Sequence, residues 1–70
     1  MGTEDYSRTE LTEAIEEWIV GKNAHRDRLI MKSRLIDGLT FEAIAELYDM
    51  SPRQIKRIVY RCEDIIFRHM

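Results

Sequence analysis

The sequence predicts an all-α fold, a four-helix domain with a C-terminal helix-turn-helix. Three observations predict it. Only three Gly and one Pro occur in 70 residues, too few for the turns of an all-β chain. At 44% apolar and 34% charged, the composition suits a compact, strongly charged helical domain rather than a disordered tail. Apolar residues recur at three- and four-residue steps, and caps and stops punctuate them.

A chain this short forms one domain and buries only about 60% of its unfolded surface, so its core must be economical. Residues 1–8 read as a flexible leader, and residues 9–70 as a single helical domain with its motif at about 40–61. Thr9 or Ser7 caps the first helix, which carries Leu11, Ile15, Trp18 and Ile19 and stops at Gly21. Glu10 and Glu13 lie early in it, at the positive end of the helix dipole. Asn23 caps the second helix, with Leu29, Ile30, Ser33 and Ile36 along one side and Gly38 as its left-handed stop. Thr40 caps the short third helix, which carries Phe41, Ile44, Ala45, Leu47 and Tyr48.

The link Asp49-Met50 then needs one residue tolerant of positive φ, a role for Asp49. Ser51-Pro52-Arg53-Gln54 is a capping box with Pro at the first helical position, the strongest local signal in the chain. The fourth helix continues through Ile55, Ile58, Val59, Cys62, Ile65 and Ile66. Ala45 is the small residue expected where the last two helices cross. Ile65, Ile66 and Phe67 are consecutive, more than one face can bury. The surplus is expected to close over the first helix near Trp18 or to form a dimer surface.

No apolar stretch approaches the ~20 residues of a membrane span. The opening residues, Met1 to Arg8, are polar and acidic, unlike a signal peptide. A single Cys excludes an intramolecular disulfide and a multi-Cys zinc site, and points to a reducing compartment, the cytoplasm. Cys62 reads as a buried inert thiol and Trp18 as a core anchor. His25 and His69 lack partners at metal spacing. Glu13, Glu16 and Glu17 read as a solvated face rather than paired catalytic carboxylates. The expectation is a non-enzymatic domain with no cofactor and no metal.

The net charge of −2 hides a gradient. Residues 1–20 sum to −5, residues 21–50 to zero and residues 51–70 to +3. With the apolar seam inward, the outer face of the fourth helix is Arg53, Gln54, Lys56, Arg57, Tyr60 and Arg61, with no acid before Glu63. Arg and Lys read guanine bidentately in the major groove, Gln reads adenine, and further cations hold phosphate. These residues are therefore the candidate contacts to double-stranded DNA, with Thr40, Ser51 and Arg34 as secondary phosphate contacts.

The stretch Leu39-Thr40-Phe41-Glu42-Ala43-Ile44-Ala45-Glu46-Leu47-Tyr48-Asp49-Met50-Ser51 resembles the helix-turn-helix of region four of bacterial RNA polymerase sigma factors. Arg26-Asp27-Arg28-Leu29-Ile30, followed by Arg34 and Gly38, is similar to the Arg-Glu-Arg helix before that motif. The resemblance runs without gaps over roughly residues 23–68. It implies promoter binding through the second motif helix, docking on the polymerase flap, and contacts at Arg53, Lys56 and Arg57. Two positions depart from the family. Pro52 stands where an Arg is usual, removing a contact, and Arg53 stands where a Glu usually reads cytosine, so the usual promoter sequence should not be recognised.

The promoter-melting region two has no room in the chain, which therefore cannot act as a complete sigma factor. With Met1 at its start, a stand-alone regulator of the sigma-like or phage-derived kind is expected over an excised domain. The reading from sequence is a sequence-specific duplex-DNA-binding transcription regulator. The alternative is a protein-interaction module. Its acidic first helix or its apolar end, Ile65-Ile66-Phe67, would dock on RNA polymerase or on a second copy as a homodimer.

Overall fold

The computed structural model describes residues 6–70. It holds four helices, α1 (Arg8–Trp18), α2 (Ala24–Leu35), α3 (Phe41–Leu47) and α4 (Pro52–His69), and no strand among the described residues. The chain is all-α. The longest helix, α4, packs against each of the other three and acts as their common spine. Its inner positions Ile55, Val59, Cys62 and Ile66 are fully buried, as are Ile15 of α1, Ile30 and Met31 of α2, and Ile44 of α3. Each such side chain contributes about 1.5–3 kcal/mol by leaving water.

Ser7 caps α1 rather than Thr9. Its hydroxyl accepts from the Glu10 amide at 3.1 Å, and the Glu10 carboxylate accepts from the Ser7 amide at 3.1 Å. The fold thus includes the end of the expected leader: Arg8 opens α1, and the Tyr6 ring stacks on Phe67 at 5.9 Å. The rest of that leader, residues 1–5, lies outside the described residues. The helix stops at Trp18, ahead of Gly21, because Ile19 turns to extended geometry and points inward with 3% exposure. Its carbonyl accepts from Arg28 Nε at 2.8 Å, which ties the end of α1 to α2.

Asn23 precedes α2 but gives no side-chain cap. Its φ of −106° and ψ of 21° lack the extended geometry that aims a cap at the first-turn amides. The Ala24 amide makes a turn bond to the Gly21 carbonyl at 3.2 Å. The inner face of α2 is also rotated from expectation. Asp27, Ile30, Met31 and Ser33 are buried, Ile36 is half-buried, and Leu29 is exposed. Gly38 has φ 71° after the helix, and the Leu39 amide returns to the Ser33 carbonyl at 3.0 Å.

From Thr40 onward the local expectations match. Thr40 Oγ1 accepts from the Ala43 amide at 3.1 Å, and Ala45 is buried. Asp49 has φ 54°, in the left-handed region, and the Met50 amide closes the turn on the Ala45 carbonyl at 2.9 Å. Ser51 and Gln54 form the capping box, with Pro52 opening α4. Leu47 is the exception, an apolar residue left exposed at the end of α3.

At its far end α4 closes over α1. Ile66 is fully buried, while Ile65 and Phe67 are half-buried at the edges of the seam. The His69 imidazole lies flat on Trp18, centroids 3.8 Å apart and planes 7° off parallel. Of the surplus apolar residues, Phe67 packs on Tyr6 within the chain.

Candidate nucleic-acid interface

The first half of α4 is built so that one face cannot rotate away. Burial of Ile55, Ile58 and Val59 holds the inner side, and the capping box fixes the first turn. Arg53, Lys56, Arg57 and Tyr60 consequently face solvent. No carboxylate pairs with Arg53, Lys56 or Arg57 among the described residues. The structure thus gathers on one exposed surface the three cations that the sequence singles out.

Phe41 joins this surface to α2 and α3, a role the sequence reading missed. The Arg34 guanidinium lies 4.3 Å from the Phe41 ring centroid, and Lys56 Nζ lies 5.7 Å from it. Tyr60 meets the same ring edge-on at 5.9 Å. Arg34 Nη1 also donates to the Leu39 carbonyl at 2.9 Å. Arg34 is therefore a clamp between the end of α2 and the start of α3, with its other N–H groups still available. The available signal was an aromatic directly after a helix cap, with cations from both flanking helices within reach.

Two candidate contacts are occupied by the fold. The Gln54 carboxamide oxygen accepts from the Ser51 amide at 3.0 Å and from the Ser51 hydroxyl at 3.2 Å. Bidentate reading of adenine needs that oxygen and the amide NH₂ together, so Gln54 reads adenine only by breaking the box. The Ser51 hydroxyl hydrogen is spent in the same box. Thr40 differs: its hydroxyl only accepts, from the Ala43 amide, which leaves its hydrogen to donate to a phosphate.

Arg61 is held elsewhere. Its Nη2 donates to Asp27 Oδ2 at 2.7 Å, and Arg26 Nε donates to Asp27 Oδ1 at 3.1 Å. Asp27 is 5% exposed, a buried carboxylate with a cation on each oxygen. This pairing makes Arg61 a tie between α4 and α2 before it is a surface cation. An acid at helical step from Ile30 and Met31 was its sequence signal, and its partner, 34 residues away, was not visible.

Burial and the negative charge of Asp27 push the Cys62 thiol above its ordinary pKa, against a smaller opposing pull from Arg61. The thiol is buried as expected. Among the described residues no three His, Cys, Asp or Glu side chains gather as a metal site, and no helix is long and apolar enough to cross a membrane. No family model matches the chain, nor does any curated protein or solved structure.

Proposed function

We propose that this domain is a sequence-specific duplex-DNA-binding transcription regulator, acting in the cytoplasm by binding and not by catalysis. In this reading α3, the turn through Asp49 and α4 form a helix-turn-helix, and α4 enters the major groove with its first half. The observation that carries it is the set of uncompensated cations on that half. Arg53, Lys56 and Arg57 face solvent without a carboxylate partner, on a helix whose opposite face is locked in the core. The resemblance of residues 39–51 to sigma-factor region four supports the transcriptional part of the reading.

Arg53 and Arg57 are the base readers, since neither is drawn toward another side chain. Lys56, leaning toward Phe41, serves phosphate together with Arg34 and the Thr40 hydroxyl. Selection of bound sites from random duplexes tests the whole reading. Arg57→Ala should cost about 1–3 kcal/mol on the preferred site and relax the choice of base there. Lys56→Ala should weaken all duplexes alike and lower the slope of log affinity against log salt by about one. Parent-like binding by both variants on preferred and scrambled duplexes would remove α4 as a reading head.

A further inference from the structure

The end of the molecule remote from Arg53 carries a different kind of surface. Tyr6, Ala14, Trp18 and Met70 line an open groove of about 270 Å³, and Glu10, Glu13 and Glu17 line it with them. An 18-residue helix separates the two ends, about 27 Å at the helical rise. A ligand in this groove and a duplex on Arg53 and Arg57 would not collide.

Glu10 is well placed in the first turn and closes the capping box with Ser7, but Glu13 and Glu17 are not so held. Glu10, Glu13 and Glu17 are spaced by three and four residues on one helix, where like charges repel. Glu17 also lies in the last turn of α1, at the negative end of the helix dipole, and that turn holds no basic residue. The nearby cation Lys32 is spent on Glu16 at 3.3 Å. Neither Glu13 nor Glu17 has an ion pair among the described residues. Among the described residues the charge of Glu13 and Glu17 is left without an ion pair beside two aromatic rings and a thioether.

Such a groove suits side chains with an apolar body and a cationic head. We propose that it docks a basic peptide segment of a partner protein, with Arg or Lys beside an apolar residue. The cations meet Glu13 and Glu17, and the apolar side chain enters beside Tyr6, Trp18 and Met70. Duplex DNA is repelled from this surface. A second copy of the chain, which offers Arg57 beside the exposed Tyr60, is the competing occupant that sedimentation separates from a partner protein. The proposal stands independently of the DNA reading.

Trp18 is the sole tryptophan, so its emission reports occupancy directly. The probe is a short amidated peptide alternating Arg and Leu, compared with an alternating Glu and Leu peptide and an all-Arg peptide. The expected result is saturable binding of the first alone, with a change in Trp18 emission. The double variant Glu13→Gln, Glu17→Gln should bind it about tenfold more weakly, the loss that two exposed ion pairs account for. It should melt no lower than the parent, since it removes a repulsion. Glu16→Gln should bind as the parent does.

Equal binding of the all-Arg or the acidic peptide would overturn the proposal. So would an unchanged Trp18 emission, or an equal loss in Glu16→Gln. Sedimentation of the protein alone covers the remaining occupant. Self-association that the double variant abolishes would assign the groove to a second copy and overturn the partner named here.

Discussion

Arg53, Lys56 and Arg57 in the first half of α4 and Arg61 and Arg68 in its second half all occupy exposed positions. The first three have no carboxylate partner among the described residues, whereas Arg61 pairs with Asp27 and Arg68 with Asp64. The first half packs Ile55, Ile58 and Val59 inward and leaves its outer face open, while the second half ends with Phe67 and His69 stacked on Tyr6 and Trp18. One helix thus carries two populations of cations. Counting charge along a sequence treats them alike. The difference is whether an acid stands within reach, on α2 for Arg61 and one turn back on α4 itself for Arg68, and only the first half lacks one.

The inner face should break this comparison, because both halves are equally buried there. Ile55 and Ile66 are each 0% exposed. Ile55→Ala and Ile66→Ala should each lose about 2–5 kcal/mol in denaturant melts, enough to unfold much of a domain this small. A cost confined to one end would mean that the two halves differ in packing as well as in charge.

The outer face should sharpen it. Arg61→Ala leaves Asp27 buried with Arg26 alone, and should cost about 1–3 kcal/mol, reduced from a fully buried pair because the Arg61 side chain is 56% exposed. Arg57→Ala should change stability by less than about 0.5 kcal/mol. Arg68→Ala belongs with Arg57→Ala, since its pair with Asp64 is exposed on both sides. Thermal melts of the three variants side by side would show the order, and equal melting of Arg61→Ala and Arg57→Ala would erase the distinction.

The smallest effect lies at the junction of the halves, at Cys62. Its pKa is raised in the folded state, so folding favours the protonated thiol. The resulting contribution is intact below the ordinary thiol pKa and is lost as pH rises through the higher folded value. Stability should therefore decline slightly on the alkaline side of the ordinary thiol range, and Cys62→Ser should flatten that decline. Thiol-specific reagents should react slowly with the native protein and rapidly after denaturation.

Legibility in the sequence followed the range of the interactions. The boxes Ser51 with Gln54 and Ser7 with Glu10 span three residues, and Ser51, the Thr40 cap and the Asp49 turn stand where local chemistry placed them. The clean alternation of α4 announced its buried side. In α2 the pattern misled in part: Ile30, Met31 and Ser33 are buried, but Leu29 is exposed and Asp27 is buried, where it pairs with Arg61. The candidate site was legible as a set of cations, but not as a set of free ones.

By itself the sequence determined helix number, the caps Thr40 and Ser51, the left-handed link at Asp49 and the inward seam of α4, all set by backbone sterics, hydrogen bonds within a few residues and helical periodicity. Tertiary structure alone decided the meetings between elements. Asp27 meets Arg61 across 34 residues, Arg34 and Lys56 meet on Phe41, and Glu13 and Glu17 are left beside Trp18 with no ion pair among the described residues. Contacts of this kind depend on distances between side chains of different helices, and those distances exist only once the helices have packed.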